Sequence, residues 1–235
     1  GYITHQVFDQ RAATAAVAKA YGRAEGDDAA TEIAALLDTA SADPAGAVHL
    51  DLTSAAAKRV SADAPPRPAA APAAPDIGAV RAMVAAARRP VVIAGLEAAR
   101  GEAATALRAL VAALGCPVLT TYKAKGVVPD GDPHLVGLFT GGSLEAACVG
   151  AADLILLVGL DPVELILQPW RYAIPVAELA ERAFPVHYVA PTATATAHGA
   201  LAAGIAALAG GVARSDWTAA EITAQRDAMC AALAW

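Results

Sequence analysis

The chain has 235 residues and a formal net charge of -6; 57% of it is hydrophobic, although alanine carries much of that share and aromatics supply only 5%. No apolar run reaches the roughly 18 residues of a membrane span, and Lys and Arg form no long basic run, so neither a membrane nor a nucleic acid is the expected partner. Cys116, Cys148 and Cys230 show no CxxC spacing and read as small core residues of a protein in a reducing, cytoplasmic compartment, with no metal site expected.

Taken in chain order, residues 1–60 start abruptly, with no capping signal at the beginning of Gly1–Ala20, as if cut from something longer. Asp27–Ala40 is predicted to be a helix, with Ile33, Leu36 and Leu37 on one face. Residues 46–52, GAVHLDL, alternate apolar and polar and predict a short strand. One helix and one strand cannot bury a core, so this segment needs partners. Residues 61–76 are rich in proline and alanine and predict an extended linker, because repeated prolines remove the donors that helix and sheet need.

After the linker, Asp76 is placed to cap a helix carrying Ile77, Val80 and Val84. Three apolar runs follow: Pro90–Gly95, Cys116–Thr121 and Asp153–Gly159, each closed by Gly or Thr, with a helix from about Arg100 to Leu114 between the first two and a glycine-rich loop and short helix before the third. Such runs read as strands buried on both faces of a parallel sheet, an α/β fold. Ligands of such sheets sit beyond the carboxyl ends of the strands, where Gly95, Thr120, Thr121 and Gly159 fall. Residues 162–170 read as irregular, Phe184–Pro191 as a fourth strand and the stretch around Ala197–Ala200 as a short fifth. Leu201–Leu208 is predicted to be a helix stopped by Gly210-Gly211, and Ser215-Asp216 to cap a last helix over Trp217–Leu233.

Several motifs fall in one order. GAVHLDL, the proline-rich linker and RPVVIAG resemble the strand that closes the pyrimidine-binding domain of thiamine diphosphate-dependent enzymes and the strand that opens their central domain. THQVFD at Thr4–Asp9, followed by Lys19, resembles the family's HQ segment; CPVLTTYKAKGVVPDGDPHLVGLFTGG resembles an acetolactate synthase pattern; ADLILLVGLD and the segment Val186–Pro191 resemble two further strands. The resemblance implies a Rossmann-like central domain of the DHS-like NAD/FAD-binding type over 77–213, a partial pyrimidine-binding domain over 1–60, and residues 214–235 leading into a pyrophosphate-binding domain. It also implies a 2-oxo acid decarboxylase or carboligase that works as an oligomer with thiamine diphosphate and magnesium. The glutamate that activates the cofactor and the GDG motif that holds magnesium and the diphosphate are expected outside this chain. Asp130-Gly131-Asp132 reads DGD between prolines and is expected to be a turn.

By the same resemblance, His5 and Gln6 border the cofactor and substrate, as a proton carrier and an orienting amide. Positions that line the FAD site of acetolactate synthases, or the ADP site of other relatives, would be Ala94, Gly95, Thr121, Tyr122, Lys123, Thr140, Gly141, Gly142, Gly159 and Leu160. Three departures weigh against a flavin: Asp161–Leu165 replaces a segment with arginines, Tyr188 replaces a ribose-binding acid, and His198-Gly199-Ala200 replaces a Gly-Asp pair. Lys123 and Lys125 are expected to be solvated, Trp170 with Arg171 and Tyr172 to pack the central domain against a neighbouring domain or subunit rather than stack on an adenine, and Asp153 to cap or pair locally. His49, His134, His187 and His198 are too scattered to suggest a metal site. Two other classes remain open: a free-standing FAD-, ADP- or NAD-binding module, and a non-catalytic assembly piece.

Overall fold

The computed structural model describes residues 8–42, 45–60, 72–165, 170–183 and 194–233. His5, Gln6, the linker up to residue 71 and the strand expected over Phe184–Pro191 lie outside them. The chain divides into two compact units, Gly1–Ala70 and Ala71–Trp235.

The first unit contains α1 (Gln10–Thr14), β1 (Tyr21–Ala24), α2 (Ala29–Ser41) and β2 (His49–Leu52). Its first helix is capped by Asp9, whose side chain accepts from Ala12 N at 2.9 Å. β1 and β2 run parallel, Tyr21 opposite His49 and Ala24 opposite Leu52, with α2 as the crossover. β1 has no apolar run and was invisible to periodicity. Its pairing is reinforced by polar groups: the Tyr21 hydroxyl donates to Asp51 Oδ2, His49 Nε2 lies 2.9 Å from Asp51 Oδ1, and the Tyr21 and His49 rings stack at 5.6 Å. α2 buries Leu36 but leaves Leu37 60% exposed, since neighbouring residues point about 100° apart. Gly22 makes room for Leu36, whose Cδ1 would lie 2.5 Å from a Cβ there.

The second unit contains α3 (Gly78–Ala86), β3 (Pro90–Ala94), α4 (Ala103–Leu114), β4 (Val118–Thr120), β5 (Leu135–Leu138), α5 (Ala146–Gly150), β6 (Leu154–Val158), β7 (Val176–Ala180), β8 (Ala195–His198), α6 (Leu201–Ala209) and α7 (Ala219–Leu233). Six strands form one sheet, ordered β5-β4-β3-β6-β7-β8, and every neighbouring pair is parallel. The three apolar runs of the sequence are therefore adjacent and point the same way. Val91–Ala94 and Ile155–Val158 are wholly excluded from solvent, as strands covered on both faces must be. α4 buries Leu107, Leu110, Val111 and Leu114 at helical spacing and ends at Gly115, whose φ of +60° only glycine adopts at little cost.

Two strands depart from expectation. β5 stands where the sequence suggests a glycine-rich loop: it is only four residues long, contains Gly137 at φ +152°, and pairs with β4 through a register shift. β7 falls between residue 170 and Phe184, where the sequence suggested no element, because Glu178 interrupts its apolar pattern. That side chain is 2% exposed and meets His198 Nε2 of β8 at 3.0 Å, so a charge in a covered strand finds a lateral partner. The last strand, β8, and the helix after it, α6, lie close to their predicted places, with Gly210 at the helix stop.

The amino end of the sheet is clamped from several directions. Asp153 does not pair locally; its carboxylate accepts from Arg88 N and Arg89 N, each at 2.8 Å, tying the start of β6 to the start of β3. Ser215 and Asp216 do not cap α7 either. Ser215 Oγ donates to Gly115 O and Asp216 pairs with Arg88, while Thr218 and Glu221 form the reciprocal cap. The Thr218 backbone and hydroxyl, with Arg89, hold the Glu221 carboxyl down at about 2. Between them Trp217 is 5% exposed, donates from Nε1 to Pro90 O at 3.0 Å, and lies under the Arg89 guanidinium at 3.9 Å.

This clamp gives a graded prediction. Trp217→Phe, which keeps most of the buried area but loses the donor to Pro90, is expected to cost about 1–2 kcal/mol, and Trp217→Ala about 3–5 kcal/mol, in urea unfolding. Trp217→Phe as stable as wild type would show that the hydrogen bond contributes nothing.

Candidate functional site

The order of the sheet reverses at β3: the chain runs outward through β4 and β5, then returns to place β6 on the other side of β3. The carboxyl ends of β3 and β6 thus form the crevice where parallel sheets of this kind bind ligands. Ala94 and Leu160 are 0% and 2% exposed, and Gly95, Thr121 and Gly159 are buried with them. Backbone bonds lock this group: Gly95 N donates to Val158 O, Glu97 N to Gly159 O and Thr121 N to Ala94 O.

The two glycines serve close approach of loops. A Cβ on Gly95 would lie 2.3 Å from Leu160 Cα and 2.6 Å from Glu164 Oε1; one on Gly159, at φ +61°, would lie 2.5 Å from Ala98 N. Glu164 ends a tight helical turn, Pro162–Glu164, capped by Asp161, whose side chain accepts from Val163 N at 2.9 Å. The Glu164 carboxylate reaches into the crevice. Oε1 accepts from Leu96 N at 2.8 Å and Asp161 N at 3.0 Å, and Oε2 accepts from the Thr121 hydroxyl, which itself accepts from Ala124 N at 3.2 Å. One side chain therefore joins the loops after β3, β4 and β6.

The remaining candidate positions lie farther out along the carboxyl edge. Tyr122, 56% exposed, and Lys123 stand in solvent after β4, as does Lys125. Thr140, Gly141 and Gly142 follow β5 and are organised by Glu145, which is fully buried and accepts from the Thr140 hydroxyl at 3.0 Å through Oε2. Its Oε1 makes no hydrogen bond among the described residues. Burial, then the charge of Glu145, pushes the Tyr172 phenol up to about 12. Trp170 packs between Phe139 and Tyr172, at ring separations of 6.1 and 5.3 Å, partly buried against the core of its own unit rather than turned to a neighbouring domain.

A second acid occupies the same end of the sheet. Glu97 is 1% exposed; Oε2 accepts from Glu181 N at 2.8 Å, and Oε1 lies 3.9 Å from Arg182 Nη1. Arg182 also faces Asp161, at 3.4 Å. Asp130-Gly131-Asp132 is a turn, with Asp132 accepting from His134 N at 2.8 Å. Burial pushes the Cys116 and Cys148 thiols up to about 12, which removes them from thiolate chemistry near neutral pH. Among the described residues, no three His, Cys, Asp or Glu side chains are grouped to hold a metal ion.

Sequence reasoning missed Glu97, Glu145 and Glu164. Only the last left a local signal: Asp161-Pro162-Val163-Glu164 has capping-box spacing with proline at the first turn position.

Residues 77–179 match the sequence model of the family "Thiamine pyrophosphate enzyme, central domain". Over that stretch the chain is similar to the central domain of thiamine pyrophosphate-dependent enzymes. It is 37% identical over 79 residues to the acetolactate synthase of Mycobacterium avium, a match spanning 33% of this chain and 13% of that one. It is 34% identical over 119 residues to the acetolactate synthase of Bacillus subtilis, spanning 48% and 20%. The matches therefore span a fifth or less of the length of these relatives. Two solved structures share the fold: a protein from Mycobacterium smegmatis described as a thiamin diphosphate-dependent enzyme (TM-score 0.67, 23% identity, 85% of this chain and 40% of that one) and benzoylformate decarboxylase from Polynucleobacter necessarius (0.66, 19%, 85% and 39%).

Glu97 makes a pH prediction. Burial, the largest influence, raises its carboxyl above the ordinary 4.5, against the Glu181 amide and Arg182, which lower it. The folded state holds that proton more tightly than the unfolded chain, so the stability it contributes is present below about 4.5 and lost as pH rises through the folded value. Glu97→Gln is expected to be more stable than wild type near neutral pH, with the advantage gone in acid; unfolding curves at both ends of the range check this.

Proposed function

We propose that this chain is the central portion of a thiamine diphosphate-dependent 2-oxo acid decarboxylase or carboligase of the acetolactate synthase kind. The observation that carries the reading is the central-domain match over residues 77–179, on a six-stranded parallel sheet. Residues 77–213 would be the central domain, 1–60 the end of a pyrimidine-binding domain, and 214–235 the lead into a pyrophosphate-binding domain. The short share of the acetolactate synthases that the matches span supports this placement.

The cofactor of such an enzyme supplies an electron sink for the acyl carbanion equivalent left by decarboxylation. No GDG followed by Asn occurs in this sequence, so the residues in hand do not fit the diphosphate and magnesium, which belong to the neighbouring domain. His5 and Gln6 would border the cofactor. The contribution of the central domain is then mechanical: a sheet with a dry, cross-linked carboxyl edge keeps its neighbours at a fixed separation. The intact enzyme would be a cytoplasmic homo-oligomer acting on a small 2-oxo acid. The reading as a free-standing FAD, ADP or NAD module is not favoured, because Ala94, Gly95, Thr121, Gly159 and Leu160 are packed against one another and against Glu164.

The test uses the chain alone with thiamine diphosphate, magnesium and pyruvate. Neither turnover nor a cofactor-dependent rise in melting temperature is expected. Either result would contradict the placement of the catalytic groups outside this chain.

A further inference from the structure

Three loops deliver donors to one point at the sheet's reversal: Leu96 N after β3, the Thr121 hydroxyl after β4, and Asp161 N after β6. Convergent donors at the carboxyl ends of parallel strands are the arrangement that receives an oxyanion, because unpaired N–H groups there carry partial positive charge. Here the oxyanion is the chain's own. Glu164 is only 9% exposed, both its oxygens are engaged, and the capping turn fixes the arm that carries it.

We propose that Glu164 is a built-in counter-anion standing where a ligand's phosphate would sit, and that removing its carboxylate opens a binding site for a small oxyanion of the phosphate or carboxylate class. The inference goes beyond the proposed function and does not depend on the reaction of the intact enzyme. It also accounts for the misfit to a flavin nucleotide. A diphosphate would have to displace a carboxylate held by three donors. Gly95 and Gly159 cannot yield space, since their loops are already in contact.

Glu164→Ala and Glu164→Gln, made in the full chain, separate charge from filling. Melting temperatures are followed against inorganic phosphate, formate and ADP, with chloride at matched ionic strength. The readout is the difference from wild type, because phosphate stabilises most proteins by exclusion. Glu164→Ala is expected to melt lower than wild type and to recover with phosphate and formate, with an apparent affinity at least about tenfold above wild type. Glu164→Gln is expected to melt lower but to gain nothing from anions, because its side chain still fills the crevice. Should Glu164→Ala fold only in phosphate or formate, the proposal stands. Anion or ADP stabilisation of wild type equal to that of Glu164→Ala would overturn it, as would Glu164→Gln as stable as wild type or Glu164→Ala folded and indifferent to anions.

Discussion

Three backbone loops cannot close over the end of a parallel sheet unless their outward-facing donors find an acceptor. The strands that end at Ala94, Thr120 and Val158 leave Leu96 N, the Thr121 hydroxyl and Asp161 N pointing into one crevice. In water those groups would be hydrated; buried and unpaired, each would cost roughly 1–3 kcal/mol. The Glu164 carboxylate meets all three, and the packing of Gly95 on Leu160 and of Gly159 on Ala98 becomes possible around it. The rest of the carboxyl edge follows, with Glu97 and Arg182 closing the side toward β7 and Glu145 organising the loop after β5.

The opposite edge is built on the same economy. Asp153 fastens β6 to β3, Trp217 reaches the first carbonyl of β3, and Arg88 and Arg89 link both to the start of α7. A sheet restrained at both ends fits the proposed role of holding neighbouring domains at constant separation. The same restraint disfavours a site that must open for a nucleotide.

Much of this architecture was legible in the sequence, for a physical reason: strands covered on both faces must be apolar throughout, so Pro90–Ala94, Val118–Thr120 and Leu154–Val158 announce themselves. The helix stop at Gly210 was legible because few residues but glycine end a helix so readily. β1, β5 and β7 were not. Tyr21–Ala24 pairs through a tyrosine–aspartate bond, Leu135–Leu138 bends at a glycine, and Val176–Ala180 carries a glutamate whose partner lies twenty residues on. In each the stabilising contact is tertiary, and a local pattern cannot contain it. The candidate site divides the same way. Its glycines and threonines could be read from strand ends, whereas Glu97 and Glu164 could not be assigned, since an acid looks the same in a sequence whether solvated or buried.

Amide hydrogen exchange tests most directly whether the crevice is closed from within. In the ligand-free chain, the amides of Leu96 and Asp161 should exchange as slowly as those of Val92 and Leu156 in the sheet, because both are locked onto a buried carboxylate. Exchange at the rate of the solvated loop around Lys123 and Lys125 would mean that Glu164 does not hold the crevice shut.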